Sequence, residues 1–135
     1  MAIQTGQPYV FGPFQLSLPD GWTAEMIDNI HELLPPDEAF AIHISGYSRS
    51  DPISLNDLFE GAQQHFSAES TPFTLPSNLE GVTFDKETEE GTMRYWMLYQ
   101  ENMMIVITLS CDPGELPACA VPAQMIISSI KPSGE

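Results

Sequence analysis

Met93-Arg94-Tyr95-Trp96-Met97-Leu98-Tyr99-Gln100, then Glu101-Asn102, then Met103-Met104-Ile105-Val106-Ile107-Thr108-Leu109, is the stretch on which the fold turns. Two β-prone runs separated by two polar residues read as a hairpin, with strands over 92–100 and 103–110. Asn102 tolerates the left-handed conformation that such a turn requires. A two-residue turn sets Leu98 opposite Ile105 and Trp96 opposite Ile107. Period-two alternation then places Arg94, Trp96, Leu98, Gln100, Ile105, Ile107 and Leu109 on one face. Met93, Tyr95, Met97, Tyr99, Met104 and Val106 share the other. Both faces are apolar, which means burial on both sides or one exposed, adhesive side.

Outward from the hairpin, Val82–Glu90 reads as a carboxylate-rich strand broken by Gly91, and 72–81 as a Pro/Gly/Asn loop. Ser54-Leu55-Asn56-Asp57 is a helix start, with Ser54 able to accept from the free N–H groups of the first turn. Leu55, Leu58, Phe59, Ala62 and Phe66 continue it as one apolar stripe. Further upstream, Phe14–Leu18 alternates as a half-buried strand, and Pro19-Asp20-Gly21 turns the chain into an extended segment at Trp22. Asp28–Leu34 reads as a short strand and Ala39–Tyr47 as a clear one, joined by Pro35-Pro36-Asp37-Glu38. Downstream, Asp112-Pro113-Gly114 ends the hairpin, and Pro122 opens a helix with the stripe Ala123, Ile126, Ile127 and Ile130. The expectation is therefore one α+β domain, an antiparallel sheet of about five or six strands flanked by two principal helices. Residues 1–13 are a lead-in, 14–131 the domain and 132–135 a tail.

The 135 residues suit one domain. Four Lys+Arg against 19 Asp+Glu give a net charge of −15. Such a charge opposes nonspecific binding to nucleic acid or anionic lipid, and favours a basic protein partner through faster encounter. The sequence offers neither an apolar run long enough to span a membrane nor a signal-peptide pattern at its start, so a cytoplasmic location is expected. Cys111 and Cys119 are too few for a disulfide framework and read as inert thiols.

Catalytic signatures are missing: no nucleophile elbow, phosphate loop or dinucleotide fingerprint occurs. His31-Glu32-Leu33-Leu34-Pro35 starts like a zinc-protease helix but puts Pro where the second His must stand. No cofactor or metal is expected. His31 and His43 fall on adjacent strands, and would serve a site only if the fold gathers them. Asp85, Glu87 and Glu89 alternate on one strand face, either as solvated charges that block sheet aggregation or as a docking surface for a basic partner.

The opening Phe14-Gln15-Leu16-Ser17-Leu18-Pro19-Asp20-Gly21-Trp22 resembles the strand and Pro-x-Gly-Trp start of the PsbP-like and DcrB-like superfamily. Ala41-Ile42-His43-Ile44-Ser45, the 54–66 helix and the closing Ile127-Ser128-Ser129-Ile130 continue the resemblance. It implies an α+β fold and, for most of the family, binding rather than catalysis. Its toxin-linked members include cytoplasmic chaperones for type VI secretion effectors.

Charge, missing catalytic motifs and resemblance together predict a non-enzymatic protein-binding module, an immunity protein or chaperone for a bacterial toxin or effector. Its contact residues are Tyr95, Met97, Tyr99 and Met104, rimmed by Asp85, Glu87 and Glu89. A small-molecule binder or minor enzyme with a pocket between sheet and helix, and a homodimer, are the alternatives.

Overall fold

The computed structural model describes residues 7–38, 40–89, 91–111, 114 and 116–132. Along these run β1 (Gln7–Phe11), β2 (Phe14–Leu18), β3 (Thr23–Ile27), β4 (Ile30–Leu34), β5 (Ala41–Ser48) and α1 (Leu55–Phe66). β6 (Thr71–Thr74), β7 (Glu80–Thr88), β8 (Gly91–Gln100), β9 (Met103–Ser110), α2 (Leu116–Ser128) and β10 (Lys131–Pro132) follow. Seven strands form an antiparallel sheet ordered β3-β4-β5-β9-β8-β7-β6, and β1-β2-β10 form a second sheet. The α+β class is thus observed, with more strands than expected.

The deciding hairpin has the expected register, with Leu98 opposite Ile105 and Trp96 opposite Ile107. In its turn the left-handed residue is Glu101 (φ 54°), not Asn102. The 49–53 segment holds that turn: the Ile53 N–H donates to the Glu101 carbonyl at 2.7 Å, and Asn102 Nδ2 to the Arg49 carbonyl at 2.8 Å. α1 begins where the Ser54 cap predicts. The Ser54 hydroxyl accepts from the Asp57 N–H, and the Asp57 carboxylate accepts in return from the Ser54 N–H at 2.8 Å.

Four local expectations change. Residues 7–11 are no loose lead-in but a strand paired with β2, with Tyr9 opposite Leu16 and Phe11 buried. The 72–81 loop contains β6 and the start of β7, because Thr71–Thr74 pairs with 80–83. Gly81 of β7 lies so close to β8 that a Cβ there would overlap the Met97 carbonyl oxygen, so only glycine fits. α2 starts at Leu116, and Pro122 stands inside it rather than opening it. A proline there removes a helix hydrogen bond at a cost of about 3 kcal/mol. Full burial of Ala123, Ile126 and Ile127 offsets that loss. The strand expected over 82–90 also shifts: β7 runs from Glu80 to Thr88, and Glu89 belongs to the turn.

The core divides at the large sheet. On one face Leu33, Ile42, Ile44, Trp96, Leu98, Ile105, Ile107 and Leu109 meet α2 and the small sheet through Phe11, Phe14, Leu16, Ile126 and Ile127. On the other, Val82, Phe84 and Met97 meet Leu58 and Ala62 of α1.

Candidate functional site

The expected aromatic and methionine surface is closed. Met97 is 3 % exposed, and Tyr95, Tyr99 and Met104 are half-buried around the α1 cluster. Phe84 and Tyr95 stack at 4.8 Å between centroids, 9° from parallel, with Phe66 at 4.8 Å from Tyr95. Burial raises the pKa of both tyrosines, and the Glu80 carboxylate accepting from the Tyr99 hydroxyl at 3.0 Å raises that of Tyr99 further. The reason is mutual need: the apolar stripe of α1 and the second apolar face of the hairpin each require cover, and they cover one another. Met97 is therefore covered by α1, and Tyr95, Tyr99 and Met104 stand half-buried around it rather than forming one fully open surface.

Nor does the fold bring the acidic rim to those residues. Asp85 and Glu87 pair with Arg94 and Thr92 on the opposite side of the sheet from Tyr95 and Met97. Asp85 holds Arg94 through two bonds, at 2.7 and 3.1 Å, and Glu87 accepts from the Thr92 hydroxyl at 3.0 Å. Asp85 keeps the Arg94 pKa above its ordinary value. Glu89 is exposed beyond the strand.

What lies open is elsewhere on the α1 face. α1 packs on β7 and β8. The same face continues across β9 and β5 to β4 and β3, where no described helix lies over it. Register places Glu25, Glu32, His43 and Thr108 in one row across β3, β4, β5 and β9. Beside this row Ile27 stands opposite Ile30, Ile30 opposite Ser45, and Tyr47 opposite Met104. Ile27, Ile30 and Tyr47 are 48 %, 38 % and 53 % exposed. Polar and apolar side chains thus alternate over an uncovered three-strand surface, and β3 is the edge strand.

The segment that builds this surface carries acidic charge without Lys or Arg. Asp20, Glu25, Asp28, Glu32, Asp37 and Glu38 fall within residues 7–48, which contain no Lys or Arg. Glu25 and Glu32 stand directly opposite each other, a like-charge pairing that costs a sheet stability. Glu32 is engaged on its other side by His43, whose Nε2 lies 2.9 Å from Oε2. Three of the four Lys and Arg side chains are tied up internally. Arg49 bonds Asp57 at 2.6 Å and the carbonyls of Asp51 and Pro52; Arg94 bonds Asp85; Lys86 donates to the Phe66 carbonyl at 2.7 Å, at the C-terminus of α1. Donation from the Ser54 N–H and then from Arg49 holds the Asp57 carboxyl below its usual range.

A cleft of about 310 Å³ runs along the flank of α1 next to this surface. Tyr47, Ile53, Met97 and Met104 line it with Glu60, Gln64 and His65, and Tyr47 belongs to both cleft and open face. The pocket between sheet and helix therefore has His65 beside it, not His31 or His43. Those two do not meet: His31 pairs with Ile44 and His43 with Glu32, so they face opposite sides of the sheet. The Tyr9 hydroxyl and His31 Nδ1 are hydrogen-bonded at 2.6 Å, and burial lowers the His31 pKa. Cys119 is buried and Cys111 half-buried. Among the described residues no three His, Cys, Asp or Glu form a group that could hold a metal ion, and no helix is long and apolar enough to cross a membrane.

Reading Asp28–Leu34 as one strand hides the open row, because the turn lies inside that stretch and β4 begins only at Ile30. The signal was there. Asp28-Asn29 is a turn-forming pair, both residues with positive φ (50° and 67°), and it separates two five-residue strands.

No family model matches the chain, and no curated protein matches it. Among solved structures, one from Bacteroides thetaiotaomicron superimposes with a TM-score of 0.73 at 14 % identity, over 97 % of this chain. This chain spans 50 % of that one. The cyanobacterial PsbP protein CyanoP from Synechocystis superimposes with a TM-score of 0.63 at 11 % identity, over 97 % of this chain and 94 % of that one. Likeness at such identities is likeness of fold, and the chain has the PsbP-like α+β fold.

Proposed function

We propose that this chain is a non-enzymatic protein-binding module for a basic partner. In its finer form the reading is a cytoplasmic immunity protein or chaperone that occludes a bacterial toxin or secretion effector. One observation carries it: half of one sheet face is left uncovered by the described helices and presents the carboxylates Glu25 and Glu32 with no Lys or Arg in its segment, while Arg49, Arg94 and Lys86 are spent on internal bonds. Charge of one sign over an open surface accelerates encounter with an oppositely charged protein, and exposed apolar side chains then hold the complex.

The test is co-purification of the tagged protein with its partner at about 0.05 and 0.5 M salt, where screening shortens the reach of surface charge severalfold. A stoichiometric complex that weakens with salt supports the reading. Recovery of a homodimer alone, at either salt, overturns it. The cleft beside α1 favours one other reading, a small polar ligand held near Glu60 and His65. A ligand-dependent rise in Tm that is lost in His65→Ala is its mark.

A further inference from the structure

We infer that the open half-face of β3, β4 and β5 seats an amphipathic basic helix of the partner, with a Lys or Arg of that helix placed between Glu25 and Glu32. The inference rests on the protein-binding reading and assigns it a surface and an occupant.

Three observations converge. The first is the shape of the gap. α1 covers β7 and β8 on this face and leaves the β3–β5 side bare. Strands about 4.8 Å apart set β3 and β5 about 10 Å from one another, which matches a helix about 10 Å across. The second is the apolar content. Ile27, Ile30 and Tyr47 are exposed on the same face. They form the surface that a second covering helix would bury, as Phe84 and Val82 are buried by α1. The third is the charge. Glu25 and Glu32 oppose each other in register, and no cation lies within residues 7–48. His43 approaches Glu32 from one side and nothing described approaches Glu25. A cation delivered from outside would bridge the two carboxylates and relieve their repulsion, so the pair is costly alone and favourable in a complex. A second copy of this chain would bring the same carboxylates and is disfavoured for that reason.

The experiment uses the full chain and synthetic helices of about 18 residues, or five turns. One peptide has an apolar stripe flanked by Lys and Arg. A second replaces each cation with Gln. Binding is read by fluorescence anisotropy, and its place by amide chemical-shift changes. The basic helix should bind and shift the amides of β3, β4 and β5, and the Gln peptide should not bind measurably. E25Q/E32Q should weaken binding by about tenfold and flatten its salt dependence, while E87Q on the opposite face should leave it unchanged. Glu25→Gln alone should weaken binding yet raise Tm, because it removes the like-charge pair. A purely structural role for Glu25 would move both readouts in the same direction.

Equal binding by wild type and E25Q/E32Q overturns the inference, as do shifts confined to α1 or α2. So does an extended peptide that adds to the β3 edge and protects β3 amides alone. If no basic helix binds but the natural partner still co-purifies in a salt-sensitive way, this surface is wrong and the protein-binding reading stands. If neither binds, both fall.

Discussion

The two faces of the seven-stranded sheet are built from similar strands but finished differently. One is covered along most of its width by α2 and by β1-β2-β10, which bring Phe11, Phe14, Leu16, Ile126 and Ile127 onto Ile42, Ile44, Ile105 and Ile107. The other is covered over β7 and β8 by a single helix and then left bare. The difference teaches that cover is limited by helix supply: a helix about 10 Å wide shields two or three strands, and a seven-stranded sheet needs more than one per face. Here the first face obtains its second layer from a hairpin, and the second face has none among the described residues.

The largest way to break this comparison is in the covered face. Ile107→Ala, at a fully buried site, should cost about 2–5 kcal/mol in urea unfolding. A cost under about 1 kcal/mol would mean that this face is not the main core. Next comes the edge of the cover on the other face. Ser54→Ala removes the α1 capping box and should cost about 1 kcal/mol, with weakened amide protection in α1 before the sheet.

A smaller effect tests how the β1–β2 hairpin holds its place. Burial lowers the His31 pKa below its ordinary 6.5, so the folded state prefers the neutral ring, which stands in hydrogen-bond contact with the Tyr9 hydroxyl. The unfolded chain therefore takes up the proton first as pH falls. The stabilising contribution is fully present above about pH 6.5 and declines as the pH drops through the lower folded value. Urea midpoints measured between pH 7.5 and 5 should fall for the wild type, and His31→Phe should flatten that slope. The smallest effect is on the bare half. Ile27→Ala should change stability by about 0.5 kcal/mol or less, since the side chain is 48 % exposed. A loss as large as that of Ile107→Ala would show that this half-face is packed.

Much of this was legible in the chain. The Glu101-Asn102 turn set the register of β8 and β9, and the Ser54 cap with its Leu55–Phe66 stripe set α1, since both depend on neighbours close in sequence. The role of Tyr95, Met97 and Tyr99 was not legible. Alternation says that two side chains share a face but not whether a helix lies on it, and this helix comes from residues about forty positions upstream. The acidic pairing was hidden for a similar reason. Glu25 and Glu32 each read as ordinary surface charges until the Asp28-Asn29 turn sets them opposite one another. His31 and His43, on adjacent strands, stay apart by one residue of register, which in a strand reverses the side on which a group stands.

By itself, then, the sequence determined the α+β class, the hairpin register, the α1 cap and a charge of −15, because periodicity, turn chemistry and composition are local or additive. Tertiary structure alone decided which apolar face is closed, where the cations are spent and which carboxylates confront each other. Those outcomes depend on how distant segments compete for the same surface, and a helix laid on one half of a sheet leaves the other half exposed.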